Sequence, residues 1–166
     1  MNRQQGLLLI LIFIALVGYG QIAPKHIRNY GPEVTRSGEV AQSVAIDMRG
    51  VPFLGTEQGV LVYEGDRWSI ISLDDESAVR SLEFDSVRNR LWVGGVGTFG
   101  YITCDVSRPY RYVSISDDII QQHPFKQAWQ ILIEKQKVTF MTNEGHYEWS
   151  GTGILWKDIK STYVFS

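Results

Sequence analysis

Three observations predict an all-β chain folded as a partial β-propeller of about three four-stranded antiparallel blades. Short apolar runs of about four to six residues alternate with turns rich in Gly and Asp, which is the pattern of a strand meander. That pattern is written twice between Ala41 and Ser116, and more weakly a third time from Gln127 to Lys160. Trp68, Tyr112 and Trp156, assigned to the opening of the last strand of each copy, recur at 44-residue intervals, and Ile71, Ile115 and Ile159 keep the same step. A period of roughly 40 to 50 residues with about four strands per unit belongs to propeller blades.

The repeats are preceded by a different kind of sequence. Arg3 provides a basic start, Leu7 to Val17 is an unbroken apolar run, and Gly18-Tyr19-Gly20 offers small residues where a signal peptidase reads. Residues 1–20 are therefore expected to be a signal peptide cut near Gln21. The run is short of the roughly 20 apolar residues a membrane span needs, and no cysteine follows it to carry a lipid. The mature chain is placed in the periplasm or otherwise outside the cytoplasmic membrane. Residues 21–40 hold Pro24, Gly31, Pro32 and Gly38, with one strand-like island from His26 to Tyr30, and read as a connecting arm.

In the first copy, about 41–75, Ser43 to Asp47 is strand A, Val51 to Leu54 strand B, Val60 to Tyr63 strand C and Trp68 to Leu73 strand D. Met48-Arg49-Gly50, Gly55 to Gly59 and Glu64-Gly65-Asp66 supply the turns. The second copy, about 79–116, repeats the order from Val79 through Leu82 to Asp85, Leu91 to Gly94, Phe99 to Thr103 and Tyr112 to Ile115. Asp47 and Asp85 close strand A at the same place, where a carboxylate can accept hydrogen bonds from the turn backbone, so both read as structural. Asp117 to Lys126 is a longer linker containing His123-Pro124. The third copy, about 127–160, has strands at Trp129 to Glu134, Val138 to Met141, His146 to Trp149 and Ile154 to Ile159, and Ser161 to Ser166 resembles the opening of a fourth. Closed propellers typically have four to eight blades, so the chain is expected to be part of a longer protein or a truncated gene product.

Composition bounds the function. With 166 residues, 44% of them hydrophobic and 12% aromatic, the chain can bury a core. A net charge of −2 with scattered Lys and Arg provides no basic stripe for nucleic acid. Cys104 is the single cysteine, which excludes an internal disulfide and a Cys-rich metal site, and with no basic flank it reads as a small apolar residue beside a turn. His26, His123 and His146 share no metal-binding spacing and no acidic calcium loop is present, so no cofactor or metal is expected.

Gly95 to Gly100 matches the G-x-G-x-x-G of dinucleotide sites, but those glycines must open a helix. Here Tyr101-Ile102-Thr103 follows, which is β-prone, and the match falls where Gly55 to Gly59 falls in the first copy. It reads as a B–C turn. Trp68, Trp92, Tyr112, Trp129, Trp149 and Trp156 could stack sugars, yet most recur at strand positions and belong first to the core. The candidate ligand face is formed by the B–C turns together with the D-to-A loops, which hold the acidic clusters Asp74-Asp75-Glu76 and Asp117-Asp118. Its candidate binding residues are Glu57, Gln58, Asp74, Asp75, Thr98, Asn143 and Glu144, polar groups able to hydrogen-bond a small molecule or oligosaccharide. No nucleophile–base signature is present. A secreted polysaccharide hydrolase or lyase using Glu57 or Glu144 remains an alternative, as does a noncatalytic scaffold pairing through open strand edges.

The succession "IRNY", "GVPFLGTEQGVLVYEGDRWSII", "AVRSLEFDSVRNRLWVGGVGTFGYI" and "YRYVSIS" resembles the start of the two-component-regulator propeller sensors, the periplasmic sensory regions common in Bacteroidetes, and among them those that end in a triple-tyrosine domain. The resemblance runs from Ile27 to about Trp156. It implies a sensory input whose parent protein continues through further blades, a triple-tyrosine module and a membrane helix to a kinase or a LuxR-type helix-turn-helix output, with two sensor copies acting together. None of those later parts is present in these residues.

Overall fold

The computed structural model describes residues 40–105 and 109–159. The expected signal peptide, nearly all of the arm and the start of a fourth unit lie outside them.

Alternating apolar residues and tight turns build three successive meanders. Blade 1 contains β1 (Ser43–Ile46), β2 (Pro52–Thr56), β3 (Gly59–Tyr63) and β4 (Trp68–Ile71). Blade 2 contains β5 (Val79–Asp85), β6 (Arg90–Gly95), β7 (Phe99–Thr103) and β8 (Tyr112–Ser114). Blade 3 contains β9 (Ala128–Ile133), β10 (Val138–Thr142), β11 (His146–Trp149) and β12 (Ile154–Lys157). Each is a separate four-stranded antiparallel sheet whose strands pair in chain order. The first strands lie side by side, β5 between β1 and β9. That is the arrangement of propeller blades around an axis, here an arc that the described residues do not close.

Pleating gives each blade two faces, and the seams between blades are the core. In the first seam, Phe53, Val60, Val62 and Ile71 of blade 1 meet Leu82, Leu91, Val93 and Ile102 of blade 2. In the second, Trp92 and Phe99 of blade 2 meet Ile131, Val138, Phe140 and Tyr147 of blade 3. Phe99 stacks on Phe140 at 4.3 Å between ring centroids, and Trp92 packs against Trp149 at 4.8 Å. Burying side chains of this size contributes about 1.5–3 kcal/mol each, so the seams rather than the isolated sheets hold the arc together.

Close approach of neighbouring blades depends on a Ser–Gly pair. Ser43 lies opposite Gly55, and Ser81 opposite Gly94. A Cβ on Gly55 would stand 2.6 Å from Val79 Cγ1, and one on Gly94 2.6 Å from the Ala128 carbonyl oxygen. The first residue of each following blade fills the space the glycine leaves, and Ser81 Oγ donates to the Ala128 carbonyl at 2.9 Å.

Two expectations need correction. The linker after blade 2 is partly helical: α1 (Asp117–Gln122) places two carboxylates in its first turn, where the N-terminal backbone N–H groups favour negative charge, and packs Ile119 and Ile120 against the second seam. The 44-residue step also fails as a structural register in blade 3. Trp68 faces Tyr63, Tyr112 faces Ile102, and Ile154 faces Trp149 at the corresponding place, whereas Trp156 lies two residues further on, opposite Tyr147. The common interval comes from connections of unequal length whose differences nearly cancel. A two-residue offset preserves the pleat, so Trp156 still packs against the same core cluster.

Candidate functional site

In a meander the second-to-third turns and the links to the next blade share one end. That end carries the turns 57–58, 96–97 and 143–144, together with the 3-10 turn Asp74–Glu76 and α1. The outer turns share one construction. Thr56 Oγ1 donates to the Gly59 carbonyl at 2.9 Å and accepts from Gln58 N, while Thr142 Oγ1 donates to the Gly145 carbonyl at 2.8 Å and accepts from Glu144 N and Gly145 N. This Thr-x-x-Gly device lifts Glu57-Gln58 and Asn143-Glu144 as matched polar pairs. The G-x-G-x-x-G match is the intervening β6–β7 turn: Gly95 N donates to the Thr98 carbonyl, and Val96 and Gly97 are tied by backbone hydrogen bonds to Ala78 and Lys126.

The predicted ligand residues have different surroundings. Gln58, Asp74 and Asn143 are exposed. Glu57 is held by Arg80 at 2.5 and 3.1 Å in a two-pronged ion pair, and Arg80 Nε reaches Gln127 Oε1 at 3.3 Å. Arg80 thereby ties blade 1 to the threshold of blade 3, and its hydrogen bonds keep the Glu57 carboxyl below its ordinary pKa. Glu144 is half-buried, and its Oε2 has no hydrogen-bond partner among the described residues. Burial, with the Glu144 charge nearby, pushes the Tyr147 hydroxyl up to about 12, and that hydroxyl donates to the His123 carbonyl at 2.8 Å. Thr98 differs from the rest: it is buried, with Oγ1 2.8 Å from the Tyr112 hydroxyl and 3.3 Å from Ser116 Oγ. Its hydroxyl serves the interior of blade 2. The Asp75 side chain lies outside what the structure describes.

Sequence reasoning missed Arg80, whose role needs partners 23 and 47 residues away. It also missed a lateral cleft of about 710 Å3 between the outer strands β4 and β8, lined by Ser69 to Ser72, Asp74, Tyr110 and Tyr112 and by Arg49, Arg67 and Arg111. Among the described residues no three His, Cys, Asp or Glu side chains converge to hold a metal ion, and no helix is long and apolar enough to cross a membrane.

No family model and no curated protein matches the chain. Among solved structures it is similar to the extracellular domain of a protein described as a hybrid two-component system from B. thetaiotaomicron, with a TM-score of 0.64 and 16% identity. The likeness covers 88% of this chain and 20% of that one, so the chain spans about a fifth of its structural neighbour. At this identity the likeness concerns the fold: the arc is shared with an extracellular domain.

Proposed function

We propose that this chain is a ligand-sensing, extracytoplasmic propeller segment of a membrane signal-transduction regulator, and that its ligand is an oligosaccharide. The observation that carries the reading is the structural likeness over 88% of the chain to an extracellular domain of a two-component system. The chemistry of the loop face agrees with it. Matched polar pairs on rigid Thr-x-x-Gly turns offer amide and carboxylate groups to sugar hydroxyls, and rigid elements place such groups better than free loops do. The expected parent is of the triple-tyrosine type, with further blades, a membrane segment and a kinase or DNA-binding output, acting as a homodimer. Sensing then consists of stabilising one of two packings of the sensor pair, without chemistry on the ligand.

The test is calorimetric titration of the exported chain with a panel of neutral and acidic oligosaccharides, alongside a reporter fusion that reads export from residues 1–20. Saturable binding without turnover, together with export, is the expected result. Product release from any glycan, or a reporter retained in the cytoplasm, overturns the reading.

A further inference from the structure

We propose that the lateral cleft between blades 1 and 2 is a saccharide-binding site separate from the loop face, shaped for one or two units of an uncharged glycan. The inference rests on the glycan-sensing reading and adds a location and a ligand class to it. At about 710 Å3 the cleft lies within the roughly 300–1,000 Å3 of small-molecule sites. Its lining includes arginines from three different connections: Arg49 after β1, Arg67 before β4 and Arg111 before β8. Arg49 is already engaged, pairing with Asp47 at 2.8 Å and donating to the Tyr110 hydroxyl at 2.6 Å. That contact fixes the Tyr110 ring, which packs edge-on against Phe53 at 5.5 Å. Arg67 and Arg111 are exposed and make no ion pair among the described residues.

Charge balance selects the ligand class. Glu64, Asp74 and Asp105 line the same cleft, and Asp47 stands behind Arg49, so among the described residues four carboxylates answer three guanidinium groups and no net positive field remains to concentrate a polyanion. What the walls offer instead is donors and acceptors side by side: the forked N–H groups of Arg67 and Arg111, and the carboxylates of Glu64 and Asp74. A sugar hydroxyl both donates and accepts, and a vicinal pair of hydroxyls matches a guanidinium fork.

The experiment is titration of the full chain with neutral gluco-, xylo- and manno-oligosaccharides and with their uronate and sulfated counterparts. The parent is compared with the double variant Arg67→Ala/Arg111→Ala and with the loop-face variant Gln58→Ala/Asn143→Ala. A neutral glycan is expected to bind, with Kd nearly constant from about 50 to 500 mM salt. The cleft variant is expected to weaken that binding at least about tenfold while its unfolding midpoint stays unchanged. Preference for acidic glycans with steep salt dependence overturns the cleft assignment, as does neutral-glycan binding lost in the loop-face variant but intact in the cleft variant; both leave glycan sensing standing. Absence of binding to every glycan overturns both.

Discussion

The carboxylate of Asp85 shows how a turn residue can support a seam between sheets. One oxygen accepts the backbone N–H groups of Val87 and Arg88 at 3.0 Å, and the other accepts from Trp92 Nε1 at 3.2 Å and Arg88 at 2.6 Å. Arg88, oriented by that pair, reaches across to the Lys135 carbonyl at 2.9 Å. Asp47 repeats the design through Arg49 N, Val51 N and the Arg49 side chain, whose far end reaches Tyr110. Burial alone pushes both carboxyls up, but the hydrogen bonds they accept outweigh it and hold both below their ordinary value. A pKa lower in the folded than in the unfolded chain means stabilisation fully present at neutral pH and lost as pH falls below about 4. Urea unfolding followed from pH 7 to pH 3 should therefore show a falling midpoint, flatter in Asp85→Asn than in the parent. Asp85→Ala strands the Trp92 N–H in the core and frees Arg88, and is expected to cost about 2–4 kcal/mol at pH 7. Cys104 illustrates the opposite environment: it is buried and its thiol is pushed up to about 11 by desolvation. It should resist a thiol-specific disulfide reagent in the native chain and react stoichiometrically in denaturant.

At the scale of elements, the Ser–Gly pairs set how closely blades approach. Gly94→Ala would place a Cβ against Ser81 Oγ, 2.6 Å from the Ala128 carbonyl oxygen and 3.0 Å from Ala128 Cβ. Two of these neighbours are backbone-anchored and cannot rotate away. The substitution should cost about 1–3 kcal/mol in urea unfolding, whereas Gly65→Ala, with nothing within 4 Å, should show only the strain of its positive φ of 80°. Much of this level was legible in the sequence. The twelve strands of the described residues follow from Gly and Asp turns between alternating apolar residues, and the turn roles of Asp47 and Asp85 follow from a carboxylate recurring at the end of strand A. What could not be read depends on contacts between blades. Thr98 looks like an accessible polar turn residue until Tyr112 and Ser116 are seen to enclose its hydroxyl. Helix α1 had a local signal, Asp117-Asp118 followed by Ile119-Ile120, but six residues make a helix only when a neighbouring core receives its apolar side. The shared Thr-x-x-Gly of the outer turns was visible as letters, and only the hydrogen bonds explain why Thr recurs there.

Across the whole arc, successive blades present different surfaces to whatever comes next. At matching positions on the side away from the preceding blade, blade 1 carries Phe53, Val60 and Val62, and blade 2 carries Trp92, Phe99 and Tyr101. Blade 3 carries Thr139, His146 and Glu148 there. Met141 stands where Gly55 and Gly94 admit the neighbouring strand, and Lys137 directly precedes β10. Lys137 turns back onto its own blade, pairing with Glu134 at 2.9 Å and Glu148 at 3.3 Å, and Lys157 joins Glu148 at 2.8 Å. Leu132 and Leu155 flank this network and remain 44% and 59% exposed. A surface with an ion network at its centre cannot replace the dry aromatic packing of the first two seams, because burying those charges would forfeit hydration that a sheet face returns only in part. In this chain the outer face of blade 3 should therefore behave energetically as a solvated surface. Leu132→Ser/Leu155→Ser is expected to change the unfolding free energy by less than about 1 kcal/mol, and Glu148→Gln by about 0–1 kcal/mol, the latter shrinking as salt is raised. Phe140→Ala, on the opposite face of the same blade, should cost about 3–5 kcal/mol. A loss above about 2 kcal/mol in the double leucine variant, or a change in its molar mass by light scattering, would mean that this face is packed against protein.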